Sequence, residues 1–477
     1  MEERYMKTKK IIIITMCTLI CIMAVGYAAF ATQLTITGTS NIESTWKVEF
    51  TNIEEVSKTS GVTITNTPTA SGTTATFDVD LTSPGDNIIY RITVTNNGTL
   101  NAIIDNITAS ESGSDAIKFE ITGIKKGDKL ASKATSTFDV TISYDNSVTS
   151  QPTTTNNKLT VDINYVQDVG QTITSEDVTI EGPDLITKIL QYNVSQPDTN
   201  IDFSQPSSDT NGKGLYYTST NTEDNKTTYY FRGAVENNYV TFAGFTWRII
   251  RINEDGSIRL ITQDLVGTSA FNATNSDNAY VGYMYGTPGA STYEETHKNT
   301  NSSTIKTELD KWYQNNLINY SSLISDSGFC GDRSISKGLG YAQNFTFYNI
   351  YTRIANGPQF KCPQTNDLYT TTTSNKGNKS LTYPIGLITA DEVIYAGGIS
   401  SGSNYYLHSG SSYWTMTPYG AAARAITAYT AGFGGELEYY SNVNSESGIR
   451  PVINLKLNVR ITSGDGTKTN PYTIKTN

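Results

Sequence analysis

Few side chains in this 477-residue chain are equipped for chemistry. It has two histidines, His297 and His408, and four cysteines, Cys17, Cys21, Cys330 and Cys362. A zinc site takes three or four His, Cys or carboxylate ligands. His297 and His408 lie far apart in sequence, and no such ligand set surrounds either. There is no Gly-x-Ser-x-Gly elbow, P-loop or dinucleotide fingerprint. A Cys–His nucleophile pair would have to combine Cys330 or Cys362 with His408. These two cysteines read first as a disulfide, which would consume both thiols; the alternative is a pair of unpaired buried thiols. Asp391 and Glu392 follow Thr389 in a capping box, where acids complement the helix dipole. Asn253 and Asp255 could begin a calcium loop, but its remaining ligands are missing, so Asn253–Gly256 reads as a hairpin turn. The expectation is a non-enzymatic chain with no metal and no cofactor.

Contact chemistry is better represented. Between Tyr419 and Asn444 stand Arg424, Tyr429, Phe433, Tyr439, Tyr440, Asn442 and Asn444, set among Ala, Gly and Ser. Rigid tyrosines among small polar residues give contact area at low entropic cost, as in adaptable paratopes. The span 419–447 is therefore the candidate ligand face; the competing reading is a solvated hairpin pair. Two apolar segments bracket it, Ser412–Pro418 and Gly448–Leu455, and read as scaffold. Trp247 and Trp414 are expected in the core. Arg248 and Arg450 lie on apolar strands and are expected to be structural, Arg450 as a hydrogen-bonding hub, because an unpaired buried guanidinium is costly.

The elements that must carry these residues are mostly strands. Hydrophobic residues make up 37% and charged residues 17%, with 31 Tyr and much Thr, Ser, Asn and Gly filling the difference. That mixture favours β-structure and turns over a helical cytosolic enzyme. The formal net charge of −10 disfavours nucleic-acid binding. Residues 1–31 carry Arg4, Lys7, Lys9 and Lys10 before the apolar run 11–30. The run is long enough to span a bilayer, and Ala29-Phe30-Ala31 fits a cleavage site, so a signal peptide and a transmembrane anchor both stand. Either places the rest of the chain outside the cell, secreted or at the cell surface.

Residues 32–166 alternate with period two: Trp46, Val48 and Phe50; Ala75 to Leu81; Ile88 to Val94; Ile117 to Ile121; Phe138 to Tyr144; Leu159 to Tyr165. About seven such strands between turn clusters imply an antiparallel β-sandwich. Residues 167–184 are polar, with Gly170, Gly182 and Pro183, and read as a linker. Residues 185–477 mix strands with helices expected at Ser303–Leu317, where Ile305, Leu309 and Trp312 share a face, and at Thr389. The region Gly328–Ser380 reads as loop.

Three resemblances follow. Gly26-Tyr27-Ala28-Ala29-Phe30 with Leu34-Thr35-Ile36-Thr37-Gly38-Thr39 resembles the start of exported Gram-positive matrix proteins of the camelysin/TasA type. Pro84-Gly85-Asp86 through Asn96-Asn97-Gly98 is similar to repeat sandwiches of bacterial surface proteins. From about Leu185 to Asn477 the ordered set Phe245–Ile250, Gly386–Glu392, Tyr413–Pro418, Gly448–Leu455 and Ser463–Tyr472 resembles a domain of unknown function in exported Gram-positive proteins. That domain is itself similar to the formylglycine-generating-enzyme/C-type-lectin fold. The resemblance implies a mixed α+β domain with little regular structure and a variable ligand face. The catalytic Cys pairs or His-rich metal sites of enzymes on that fold have no counterpart between Ser412 and Leu455, and Glu436 with Glu438 is too small a set for a lectin calcium site. The expectation is a surface-displayed binding protein or adhesin whose partner is an extracellular protein or glycan. A matrix subunit assembling through the sandwich is the alternative, and an orphan enzyme the third reading.

Overall fold

A computed structural model of the chain describes residues 44–476 apart from 115, 150, 153–154, 339, 342–344, 351, 354–356, 400–403, 421–423 and 429–436, together with residues 6, 8–10 and 14–16. For 424–428 and 437–440 it describes backbone only. Of the apolar run 11–30, only 14–16 fall within the described residues, so the signal or anchor reading lies outside them. Among the described residues no helix is long and apolar enough to cross a membrane.

The structure is strand-rich, with several sheets gathered around two large hydrophobic clusters. The first cluster is built by strands whose side chains alternate. In β4 (Asn87–Asn96) Ile88, Tyr90, Ile92 and Val94 are buried and the residues between them are not, as a period of two requires. It is flanked by β1 (Val48–Lys58) and β7 (Thr135–Tyr144), with β6 (Ile117–Thr122) beyond, all antiparallel. A second sheet sets β5 (Ala102–Ser112) against β8 (Lys158–Gln167) and contributes to the same cluster. β2 (Val62–Ser71) and β3 (Thr74–Leu81) form a hairpin. Trp46 precedes β1 and is exposed instead of heading an apolar row. Asp86 fixes the turn before β4 by accepting from Thr59 Oγ1 (2.9 Å), Thr82 N (3.1 Å) and Ser83 N (2.8 Å).

Residues 167–184 are strapped down and not a free linker. Glu176–Asp177 pairs with Lys125–Lys126, and Ile180–Glu181 runs parallel to Ala109–Ser110 of β5. Backbone hydrogen bonding satisfies polar groups that a solvated linker would leave to water.

The second cluster begins at α1 (Leu185–Tyr192), capped by Asp184, whose carboxylate accepts from Thr187 N at 2.8 Å. Its larger sheet includes β9 (Gly214–Thr218), β10 (Thr228–Arg232), β11 (Tyr239–Phe242), β12 (Phe245–Ile252) and β13 (Ile258–Thr262). β11 and β12 form a tight hairpin through Ala243 and Gly244, both at positive φ (51° and 79°), as a two-residue turn between twisted strands demands. The β12–β13 hairpin turns at Gly256, φ 80°, where Asp255 Oδ1 accepts from Ser257 N at 2.9 Å. Asn253–Gly256 is thus the turn that its composition implies. Start and end of the region are joined: Leu185 N donates to Val459 O and Ile461 N to Pro183 O.

The helix α2 (Thr304–Asn316) is capped by Ser303 and buries Ile305, Lys306, Leu309 and Tyr313. Tyr313, not Trp312, completes its buried stripe. Trp312 is half-buried, 5.0 Å from the Phe245 ring and 6.1 Å from that of Trp247. Between Gly328 and Ser380 regular structure is confined to short pieces, in keeping with the loop reading.

Candidate functional site

The frame around the candidate face comes first. β14 (Gly267–Ala270), β15 (Tyr413–Gly420) and β18 (Glu446–Ile449) belong to a second sheet, and β19 (Val452–Leu455) joins the larger one through β13. Every residue of β15 and of β19 is buried. β15 and β18 run parallel at Tyr413 and Gly448, and Gly448 N donates to Ser412 O at 3.0 Å. Trp414 is fully buried, its indole N–H donating to Ser269 O at 2.7 Å; Trp247 is likewise buried and donates to Phe242 O at 3.0 Å. Arg450 is 1% exposed and donates to Thr262 O and Leu407 O, each at 2.8 Å, which fits the expected hub. Arg248 donates to Asn238 Oδ1 (2.6 Å), Val235 O (2.8 Å) and Gln263 Oε1 (3.2 Å).

From this frame the chain leaves as a hairpin. β16 (Arg424–Ala428) pairs with β15 and with β17 (Leu437–Asn442). Arg424 sits opposite Asn442, Ala425 opposite Ser441, and Thr427 opposite Glu438. One residue of β16, Ile426, therefore faces two of β17, Tyr439 and Tyr440, which is a bulge. Asn442 and Asn444 are exposed on the turn into β18. Between them Val443 is fully buried and accepts from Asn272 N at 2.9 Å, which pins that turn to the core. The backbone thus brings Arg424, Tyr439, Tyr440 and Asn442 onto one hairpin, with Asn444 at its foot. Tyr429 and Phe433, and Glu436 of the weighed calcium set, lie outside the described residues.

A charged cleft, missed in the sequence reading, lies under α3 (Ala390–Tyr395). Thr389 caps this helix with the expected capping box: Glu392 N donates to Thr389 Oγ1 and Thr389 N to Glu392 Oε2, each at 3.0 Å. The two acids do more than complement a dipole. Glu392 Oε1 lies 3.2 Å from Arg251 Nε and 2.6 Å from Arg259 Nε. Asp391 takes Arg353 on both oxygens, at 2.9 and 3.0 Å. Arg353 also reaches Asp332, and Arg251 reaches Glu254 at 3.2 Å. Burial pushes the Glu392 carboxyl up, but Arg259 and Arg251 outweigh it and hold the group below its ordinary range. Burial raises Asp332 despite Arg353. Water can occupy only about 50 Å³ of this cleft, so its paired charges form a seam between elements and leave little room for an organic substrate.

The cleft wall includes Cys330 and Cys362, joined as a disulfide with a Cα–Cα distance of 5.6 Å. Neither sulfur is a thiol free to act as nucleophile. His297 is buried, contrary to its polar sequence surroundings. It stacks on Tyr293 at 4.0 Å, meets that residue's carbonyl through Nδ1 at 2.8 Å, and lies 3.4 Å from Asp367, which binds Arg333. His408 is half-buried next to Tyr405, and burial lowers its pKa. Among the described residues no group of three or more His, Cys, Asp or Glu is placed to hold a metal ion. The signal that could have found the cleft was the density of Arg on apolar strands, since a buried guanidinium calls for a partner.

No protein family, characterised protein or solved structure matches the chain.

Proposed function

We propose that this chain is an exported, surface-displayed binding protein in which residues 32–166 form a β-sandwich spacer. In this reading residues 185–477 form an α+β domain of C-type-lectin-like layout that presents the hairpin within 419–447 to an extracellular protein or glycan. The observation that carries it is the contrast within one stretch. Fully buried β15 and β19 fix the frame, and the hairpin between them bulges at Tyr439–Tyr440 before ending on exposed Asn442 and Asn444. Bulges re-aim side chains where strands border functional sites. The disulfide supports an oxidising location. The closure of 183–185 on 459–461 and the sparse regular structure of 328–380 support the lectin-like layout. In this reading the protein is not an enzyme, and residues 11–30 attach it to the membrane if they are retained.

The test is a glycan and protein binding screen with the full chain, followed by Tyr439→Ala with Tyr440→Ala. The expected result is at least a tenfold loss of affinity, since paratope tyrosines are the usual hot spots, with an unchanged unfolding midpoint. Undiminished binding by the double variant would move the face elsewhere. The matrix-subunit alternative rests on β8, a ten-residue strand that pairs only with β5 among the described residues and offers a free edge. Concentration-dependent polymers of the full chain, abolished by proline at Asn164, would favour it over the binding protein.

A further inference from the structure

Arg248 and Arg450 are buried in one cluster, and among the described residues no carboxylate forms an ion pair with either. Both reach the same short segment: Arg450 donates to Leu407 O at 2.8 Å, and Arg248 Nη1 lies 3.5 Å from Tyr406 O. Aromatic faces complete their surroundings. The Arg248 guanidinium stands 3.8 Å from the Tyr239 ring and 5.1 Å from that of Tyr406, and Arg450 stands 4.8 Å from Tyr413. Tyr413 OH is itself engaged, donating to Leu407 O at 3.2 Å.

Three buried polar atoms of this cluster have no partner: Arg450 Nη2, Tyr405 OH and Tyr406 OH. Tyr405 is 4% and Tyr406 6% exposed, so bulk water does not serve them. Two cations and three idle donors form an environment rich in donors; the carboxylate whose charge reaches Tyr406, Glu392, is already held by Arg251 and Arg259. A buried polar group without a partner is costly, and a buried charge without a counter-charge more so. Burial already pulls the Arg248 guanidinium down to about 10, with nearby Arg450 adding to the effect while Tyr239 and Tyr406 oppose it. A water molecule would satisfy donors but leave two neighbouring positive charges facing each other. An anion satisfies both demands.

We propose that Arg248, Arg450, Tyr405 and Tyr406 form a buried site for a monatomic anion of the halide class, such as chloride. Tyr405 packs against the Gly398 backbone and Tyr413 is fully buried, so an occupant would be enclosed by close packing, which a small monatomic ion disturbs least. The ion would lock segment 404–407 to β12 and to the turn between β18 and β19, stiffening the frame. The site stands whether or not the hairpin binds a partner.

The test uses the full chain at constant ionic strength, exchanged from gluconate into chloride or bromide. Unfolding of the C-terminal region is expected to shift upward, saturably, by about 3 °C or more. Bromide-grown crystals are expected to give an anomalous peak within hydrogen-bond distance of Arg450 Nη2. Tyr405→Phe with Tyr406→Phe is expected to raise the half-saturating halide concentration about tenfold or more, since two charge-assisted hydrogen bonds are lost. A midpoint equal in gluconate and halide would overturn the proposal. So would a double variant stabilised equally in both salts, as removal of two idle hydroxyls predicts, or density for water or a carboxylate of the chain at the cluster. If the double variant does not fold, the bromide peak in the unaltered chain decides.

Discussion

On the strand Phe245–Ile252 two arginines three residues apart, buried Arg248 and half-buried Arg251, are partnered in opposite ways. Arg251 enters a network in which Arg251, Arg259 and Arg353 meet Glu254, Glu392, Asp332 and Asp391. Among the described residues Arg248, with Arg450, meets carbonyls, amide oxygens and tyrosine side chains, and no carboxylate pairs with either. The first arrangement joins helix α3 to the sheet with mutually dependent charges. The second fastens loops with cations whose partners within the described chain are neutral. The difference lies in what a single substitution leaves behind: a stranded charge in the paired network, an unfilled acceptor in the other.

Glu392 is the place where the paired network breaks most severely. Among the described residues Glu392→Gln leaves Arg251 with only Glu254 as an ion-pair partner, and Arg259, which is 2% exposed, with none. Breaking a buried pair from one side costs about 3–5 kcal/mol, measurable by denaturant unfolding. A loss under 1 kcal/mol would show that the two clusters do not differ. The same residue sets a pH sign. Its folded pKa lies below the unfolded value, so its stabilisation is full above pH ~4.5 and is lost as pH falls through the folded value. Asp332 is shifted the other way, and its penalty is relieved as pH falls through its raised pKa. The gap in unfolding midpoint between the native chain and Glu392→Gln is expected to narrow from pH 6 to pH 3. A widening gap would reverse the assignment.

The disulfide at the cleft wall tests whether charge alone holds the seam. Cys330→Ser with Cys362→Ser opens a loop of sequence separation 32, for which chain entropy alone gives a loss of ~3–4 kcal/mol. If the paired network is autonomous, the pH dependence ascribed to Glu392 survives in this variant. On the neutral side, with halide replaced by gluconate, Arg450→Met leaves Thr262 O and Leu407 O without this donor but strands no carboxylate, and is expected to cost about 2 kcal/mol. In gluconate, a loss as large as that of Glu392→Gln would mean that Arg450 has an anionic partner within the chain itself.

How far the sequence foretold this architecture depended on how local the cause was. β4 and β7 were legible because Ile88 to Val94 and Phe138 to Tyr144 alternate without a break. β2 was not, because Thr and Asn fill Val62–Ser71 and no apolar row exists. β5 was missed because it buries Ala102, Ile103 and Ile104 in succession, which erases the period. The β11–β12 turn was hidden in a continuous apolar stretch, although Ala243-Gly244 was the clue. The capping box and the disulfide needed only local motif and count. The partners of Glu392 did not: Arg251 stands 141 residues earlier, and no local pattern joins them. The pairing of 176–177 with Lys125–Lys126 and of 180–181 with β5 is likewise a tertiary choice in a segment whose composition reads as linker.

The smallest expected effect separates the helix cap from the charges beneath it. Thr389→Ala removes one acceptor for the Glu392 N–H, and caps of this kind contribute about 1 kcal/mol. The bond from Thr389 N to Glu392 Oε2 uses backbone on the threonine side, so the substitution leaves it available. If the cap acts only on the helix, the losses from Thr389→Ala and Glu392→Gln add to within about 0.5 kcal/mol in a double-mutant cycle. If the capping box instead holds the Glu392 carboxylate against Arg251 and Arg259, the two losses overlap and the double variant is markedly less destabilised than their sum. The second outcome is expected, because one carboxylate serves the helix N-terminus through Oε2 and the guanidiniums through Oε1. The nearest counterpart for Arg248 is Asn238, which accepts from the guanidinium through Oδ1 and donates to Ile249 O through Nδ2, but it is neutral and caps no helix, so a cap-to-charge coupling at Glu392 would mark the paired network as the more cooperative of the two.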